Sequence, residues 1–340
     1  MATIMDVAQR AGVSISSVSY ALTGKRPISA EKKAHIHKVI EELGYQPNAS
    51  ARSLASKRTC NIALLFPHLH GRSLGLSEIQ FVFSGAQFSI KNGYYMVMWF
   101  VEADKPDELR RLIRQFMVDG IILMEVRNDD PFVKVLNEEH VPFFLIGRDS
   151  FYKKNNFIDI DFYGSIELLL NWLLQKGHNN ICFVNHSFST YEMGYIPTVK
   201  CHDSFLKICK RLKMTGKEIF CEKDPESAYY KVKDVFLKDP EISVIVSLNQ
   251  SCLSGILKVI EDLGKKIPQD ISVVALASAP PFGASYLPLI TALEINIEKI
   301  MEQVVRKLIS IINNEDIPQM ENMVLCELVE RQSTGGKNGY

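Results

Sequence analysis

Two hydrophobic rhythms divide this chain near residue 60, and together they leave few folds open. From Cys60 onward, C-N-I-A-L-L-F-P, Y-Y-M-V-M-W-F, G-I-I-L-M-E and P-F-F-L-I-G are short apolar runs separated by helical stretches such as D-E-L-R-R-L-I-R-Q-F-M. Continuous apolar runs of this length read as strands buried on both faces, the pattern of a parallel sheet covered by helices. A second set begins near Asp161, where N-I-C-F-V-N, V-I-V-S-L-N and I-S-V-V-A-L alternate with G-S-I-E-L-L-L-N-W-L-L-Q-K-G, D-S-F-L-K-I-C-K-R-L and L-S-G-I-L-K-V-I-E-D-L-G. Two doubly wound α/β halves follow.

Before residue 60 the period is helical. Ile4, Val7, Ala8 and Ala11 recur at i, i+3, i+4 and i+7 behind Thr3, whose spacing to Asp6 resembles a capping box, and Gly12 ends the run. Ser14 is suited to cap a second helix in which Val18, Ala21 and Leu22 share one side, with Ile15 at the margin. A third helix is expected after Ser29, with Ile36, Val39, Ile40 and Leu43 on its buried face and Gly44 at its end. Two helices joined by a short glycine turn, completed by a third, form the helix-turn-helix layout.

With Val18, Ala21 and Leu22 inward, Ser16 and Tyr20 are expected to point away from the core, flanked by Ser17 and Ser19. Such a face is small and hydroxylated. Short side chains let a helix seat deeply in a major groove about 12 Å wide, and hydroxyls can bond base edges or phosphates. Charge points the same way. Residues 1–58 hold nine Lys/Arg against four Asp/Glu, a balance of +5, which leaves the other 282 residues at −5 in a chain of zero formal charge. A basic module on a separate body indicates an anionic partner such as DNA.

The stretches T-I-M-D-V-A-Q-R-A-G-V-S-I-S-S-V-S-Y-A-L-T-G, I-S-A-E-K-K and E-E-L-G-Y-Q-P-N-A-S-A-R-S-L-A-S-K-R-T resemble the lactose-repressor (LacI/GalR) family of bacterial transcription regulators, and the likeness extends over nearly the whole chain. The resemblance implies that Ile15, Ser16 and Tyr20 are base-reading positions and that Ser14, Ser17, Ser29, Tyr45 and Asn48 hold the DNA backbone. Ile4, Met5, Ser19 and Thr23 complete the DNA-facing set expected in the head. One departure matters: Tyr20 stands where many members carry arginine, so the bidentate guanine contact is missing there.

After Pro47, N-A-S-A-R-S-L-A-S spans about two helical turns with Ala51, Leu54 and Ala55 on one face. A helix this short is marginal alone. In the family this hinge pairs with its dimer mate in the minor groove, and Leu54 matches the apolar wedge that kinks the duplex. The resemblance also implies a periplasmic-binding-protein-like body with a ligand cleft between lobes. The helix carrying Met301, Val304, Val305, Leu308, Ile309 and Ile312 would pack back on the first half, so that the chain crosses near Asp161, Glu294 and Met320. The expected organisation is a DNA-binding head (1–46), hinge and linker (47–59), first lobe (60–160 with 294–319), second lobe (161–293 with 320–333) and a disordered tail (334–340).

Other classes lack positive signals. There is no G-x-G-x-x-G after the first strand, no G-x-x-x-x-G-K-[ST], no G-x-S-x-G and no H-E-x-x-H, so no enzyme and no cofactor is expected. An α/β enzyme with a regulatory DNA-binding head is the alternative. The seven cysteines are scattered without a C-x-x-C pair and read as buried thiols rather than a disulfide framework or zinc site. His68 and His70 read as pocket-lining or solvent-facing rather than metal ligands. No run approaches the ~18 apolar residues of a membrane span and no secretion signal is visible, so a cytoplasmic regulator is expected. The tail S-T-G-G-K-N-G-Y carries no heptads, which favours a dimer.

By motif, the cleft departs from sugar-binding relatives. Thr198 falls where the family places arginine, Gln250 follows Asn249 where an acid is usual, Ala277 replaces aspartate in V-V-A-L-A, and Gly147, followed by Arg148, replaces another aspartate. A buried polar ligand left without partners loses about 1 to 3 kcal/mol per unpaired group, which argues against an ordinary monosaccharide. Three readings remain: a more apolar or aromatic effector walled by Phe66, Phe162, Tyr163 and Tyr191; a vestigial cleft in a constitutive or protein-controlled regulator; or a sugar held through other loops. His68 and Glu294 complete the expected effector-binding set.

Overall fold

The structure, a computed structural model, describes residues 2–23, 26–45, 58–67, 74–115, 117–149, 156–280, 282–316 and 322–336. The expected contact residues Asn48, Ala51, Leu54, Ala55 and His68 lie outside them. The chain divides into two compact units, Met1–Thr59 and Cys60–Tyr340.

The small unit is three helices: α1 (Ile4–Ala11), α2 (Ile15–Thr23) and α3 (Ala30–Leu43). Thr3 and Asp6 form a reciprocal capping box at the start of α1, each bonding the other's backbone N–H. Those bonds hold the Asp6 carboxyl below its ordinary range. Gly12 ends α1 at φ 64°, a left-handed conformation that glycine adopts without a Cβ clash. Val7, Val18 and Ile36 are wholly buried where the helices meet, with Ala8, Ala11, Ala21 and Val39 around them. Ser29 caps α3 by accepting from the Lys32 N–H.

The large unit is built on two six-stranded sheets. The first contains β1 (Asn61–Pro67), β2 (Tyr95–Val101), β3 (Gly120–Leu123), β4 (Phe143–Ile146), β5 (Phe157–Ile160) and β11 (Met323–Val324), in the order β11-β5-β4-β3-β1-β2. All of its pairings are parallel. The crossovers are α4 (Leu76–Lys91), α5 (Pro106–Arg114) and α6 (Pro131–Glu138). The second contains β6 (Asn180–Asn185), β7 (Thr215–Phe220), β8 (Val244–Ser247), β9 (Ser272–Ser278), β10 (Thr291–Glu294) and β12 (Glu327–Val329), in the order β12-β10-β9-β8-β6-β7. Only β12 is antiparallel there. Its helices are α7 (Phe162–Gln175), α8 (Phe188–Glu192), α9 (Ile196–Leu212), α10 (Pro225–Lys238) and α11 (Leu253–Asp262). The final helix, α12 (Ile297–Asn313), packs on α4, β3 and β4, on the first half.

Five strands have no counterpart among the apolar runs: β5, β7, β10, β11 and β12. β11 is only two residues long, and the others break the apolar pattern, with Asp159 in β5, Lys217 and Glu218 in the half-buried edge strand β7, and Glu294 and Glu327 in β10 and β12. The last crossing also lies later than expected. Met323 and Val324 pair with Asp159 and Ile160 in the first sheet, so the chain returns to the second only at Leu325–Cys326.

The tail is likewise ordered further than expected. Ser333 and Thr334 are buried, and Thr334 Oγ1 lies 2.8 Å from Thr291 Oγ1. The Gly335 carbonyl lies 2.9 Å from His178 Nε2, and the Gly335 N–H donates to Ser272 Oγ. These buried polar groups find their partners in the tail backbone, so residues 333–336 are held. Six cysteines are buried, Cys60 is half-buried, and all seven are free thiols. Among the described residues no helix is long and apolar enough to cross a membrane, and no group of three or more His, Cys, Asp or Glu could hold a metal ion.

Candidate nucleic-acid interface and ligand cleft

In the head, Val18 and Ala21 anchor α2, and the opposite side is open. Ser16 is exposed, as are Ile15 at 47% and Met5 at 62%, both costly placements for apolar side chains unless a partner covers them. Ser14 Oγ accepts the Ser17 N–H at 3.2 Å and lies 3.0 Å from Ser17 Oγ, which fixes the first turn of α2. Tyr20 is half-buried rather than directed wholly outward, because the Arg26 guanidinium stands 5.5 Å from its ring centroid. Ser19 is also half-buried, Ser29 is exposed at the start of α3, and Thr23 closes α2. Ile4 and Tyr45 lean on the head core and so do two jobs, packing and bordering the open face.

In the body, a cleft of about 670 Å³ opens at the carboxyl ends of both parallel sheets, where open α/β sheets receive ligands. Gly147, Phe162, Asn249, Gln250 and Ala277 line it. Asn249 is fixed by bonds from its Nδ2 to the Cys221 and Glu222 carbonyls. Backbone strain gathers at the rim, where Glu125 and Ala277 have φ of 52° and 54°, and residues held there cluster at ligand sites.

The other expected cleft residues are elsewhere. Phe66 is 2% exposed, because β1 is covered on both faces, and stacks on the exposed Phe100 of the neighbouring edge strand β2. Arg148 turns to Asp159 at 3.4 Å. The Tyr163 hydroxyl accepts from Arg211, and Lys207 sits over its ring. Tyr191 belongs to an aromatic group with Phe188, His202 and Phe220. Thr198 is fully buried in α9, with its hydroxyl against that of Thr190, and does not line the cleft. Glu294 is committed to Arg331 at 2.5 Å.

The sequence reading missed the charged groups of the cleft. Glu78 on α4 meets Lys223, which follows β7, at 3.0 Å, an ion pair joining the two lobes. Beside it Gln250 Nε2 donates to Ser77 Oγ at 3.0 Å. Glu125, just past the carboxyl end of β3, lines the same space. Loss of solvent pushes its carboxyl up to about 8, the Glu78 charge adds to the rise and Lys223 opposes it. The available signal was positional: in G-I-I-L-M-E a lone acid ends a buried strand, the place where α/β sheets present ligand groups.

Residues 3–48 match the model for bacterial regulatory proteins of the lacI family, and residues 170–334 match the periplasmic binding protein-like domain. The chain belongs to the lacI family. Its lacI-type head makes it a DNA-binding regulatory protein. Among relatives similar along almost their whole length are the HTH-type transcriptional regulator MalR of Staphylococcus xylosus and pepR1 of Lactobacillus delbrueckii subsp. lactis, each 26% identical with 98% of both chains covered. Catabolite control protein A of Staphylococcus epidermidis is 26% identical over 80% of this chain and 81% of its own. The fold matches the lac repressor dimer bound to operator and the anti-inducer ONPF, with a TM-score of 0.81 at 20% identity, covering 98% of this chain and 99% of that one. It also matches the CelR–cellobiose complex, with a TM-score of 0.68 at 19% identity over 98% and 100% of the two chains.

Proposed function

We propose that this lacI-family chain is a cytoplasmic transcriptional repressor that binds a pseudo-palindromic operator as a homodimer, under the control of a small molecule in the interlobe cleft. The observation that carries the reading is the exposed Ile15–Ser16 edge of α2, backed by a wholly buried Val18. Homodimerisation is supported by an apolar surface on the first lobe: Phe83 and Ile90 on α4 are 66% and 63% exposed, and Tyr95, Met98 and Phe100 are exposed on β2, an edge strand. Unpaired apolar edges of this kind are normally covered. A ligand with different affinities for open and closed lobes shifts their balance and with it DNA affinity. The roomy cleft favours such an effector over a vestigial pocket, and the names of the relatives favour a regulator over an enzyme.

The test is selection of duplex sites from a random pool by the full chain, followed by gel retardation with S16A/Y20A. A site with two related halves is expected, and the double variant should lose about 1–3 kcal/mol of base discrimination for each good contact removed. Unchanged discrimination in the double variant overturns the reading.

A further inference from the structure

Among the described residues, the cleft contains one buried-facing carboxyl group, that of Glu125, that no cation pairs. Of the acids that line it, Asp159 is satisfied by Lys200 at 3.0 Å and Arg148 at 3.4 Å, and Glu78 by Lys223 at 3.0 Å. Glu222 is exposed. Among the described residues, no hydrogen bond or ion pair reaches the Glu125 carboxyl, although the chain places it in the cleft through a left-handed backbone at φ 52°. Among the described residues, the titratable groups that act on it are Glu78, Lys223 and the half-buried Tyr195. Of these only Lys223 is cationic, and it is engaged by Glu78.

The surroundings limit what can sit there. Leu74, Ile79, Met124, Ile146, Ile196 and Tyr286 are among the apolar side chains lining the space. An anionic ligand would meet two carboxylates and find its one lysine occupied. A neutral polyol would find Gly147 and Ala277, which offer no side-chain partner, Gln250 already bonded to Ser77 and to the Ala277 carbonyl, and Ser187, Ser189, Thr190 and Asn249 bonded within the chain. A buried unpaired carboxylate is costly, and a cation brought to it removes that cost while its body covers the apolar walls.

We propose that the effector is an organic cation, an apolar or aromatic body bearing a protonated amine that seats on Glu125. This assignment rests on the reading of the cleft as the effector site. Burial raises the Glu125 carboxyl to about 8, so an ammonium is bound as the ionised carboxylate forms, with release of a proton. Amine affinity therefore rises with pH up to the point where the amine itself loses its charge.

The experiment uses the full chain at about pH 8.5 and measures calorimetric binding and melting temperature with matched probes whose amines stay charged there: phenethylamine against phenylethanol and phenylacetate, and cyclohexylamine against cyclohexanol and glucose. The expected result is that the amine of a matched set binds at least about tenfold more tightly than its neutral and anionic counterparts, that E125Q abolishes the preference, and that E125D keeps part of it. The melting transition of each variant without probe reports whether it folds. Equal or tighter binding of an alcohol, carboxylate or glucose, an amine preference that survives E125Q in a folded variant, or no melting shift with either amine overturns the proposal. None of these outcomes touches sequence-selective DNA retardation, so the regulator reading stands or falls separately.

Discussion

Gln250 of the second lobe donates from Nε2 to Ser77 Oγ of the first at 3.0 Å, and the same nitrogen lies 3.3 Å from the Ala277 carbonyl. An amide can bridge the lobes and the strained end of β9 at once, which a carboxylate at this position could not do because it only accepts. Gln250→Ala removes this bridge and leaves the Glu78–Lys223 and Lys200–Asp159 ion pairs across the lobes. The expected loss of stability is only about 0.5–1.5 kcal/mol, the net worth of an ordinary hydrogen bond. The larger effect is expected in the lobe angle, read as an increased radius of gyration in solution scattering. An unchanged scattering curve would show that the remaining cross-lobe contacts hold the lobes without it.

Gly255 opens a second prediction, because two effects of known size oppose each other there. In mid-helix, Gly→Ala normally stabilises by about 1 kcal/mol. At Gly255, however, an added Cβ would collide with the Pro225 carbonyl oxygen at the start of α10, a backbone atom that no rotamer change can move. Forcing two packed helices apart costs typically 1–3 kcal/mol and sometimes more. The collision therefore wins. Gly255→Ala should lower the midpoint of chemical unfolding, and an equal or higher midpoint would refute the close α10–α11 approach.

Gly255 also shows what could be read in the sequence. In N-Q-S-C-L-S-G the motif placed Asn249 and Gln250 at the cleft, because a rigid strand-to-helix turn carries both. The same logic put Gly147 and Ala277 at strand ends. It failed for Thr198, which lies within α9 after a loop of irregular length, so that motif spacing lost its register. It failed for Phe66, Tyr163 and Tyr191 because an aromatic near a cleft can as well fill the core or the outer surface, and composition does not say which. Glu78 and Glu125 were missed because hydrophobic periodicity locates strands and helices but is silent on the polar residue that follows them. The head was more legible: its caps, glycine stops and buried positions are local features, fixed within three or four residues.

The half-buried Glu125, whose carboxyl is desolvated in the cleft, makes stability depend on pH. Its folded-state value is raised to about 8 from 4.5, so between those limits the folded chain holds a proton that the unfolded chain has released. Folding stability then falls as pH climbs through that window, and the full penalty is present above about 8. Glu125→Gln carries no such penalty. The variant should melt close to the parent at pH 5 and increasingly above it toward pH 9, as measured by circular dichroism. A difference that does not grow with pH would place the carboxyl in a solvated setting.

The strongest prediction for the head concerns Tyr20. A tyrosine can offer a single hydroxyl and an aromatic face, whereas arginine at the same position presents two parallel donors that match the O6 and N7 of guanine. In this chain the ring is partly covered by the Arg26 guanidinium 5.5 Å from its centroid, which restrains the side chain. Tyr20→Arg removes that ring and places a second cation beside Arg26. Two consequences are expected from site selection with the variant: one base pair in each half-site should shift to guanine, with discrimination of about 1–3 kcal/mol, while the remaining positions stay as in the parent. The added charge should also steepen the salt dependence of binding only if it reaches a phosphate rather than a base. A preference altered at many positions would mean that α2 had changed its docking angle. A preference altered at none would remove Tyr20 from the base-reading face.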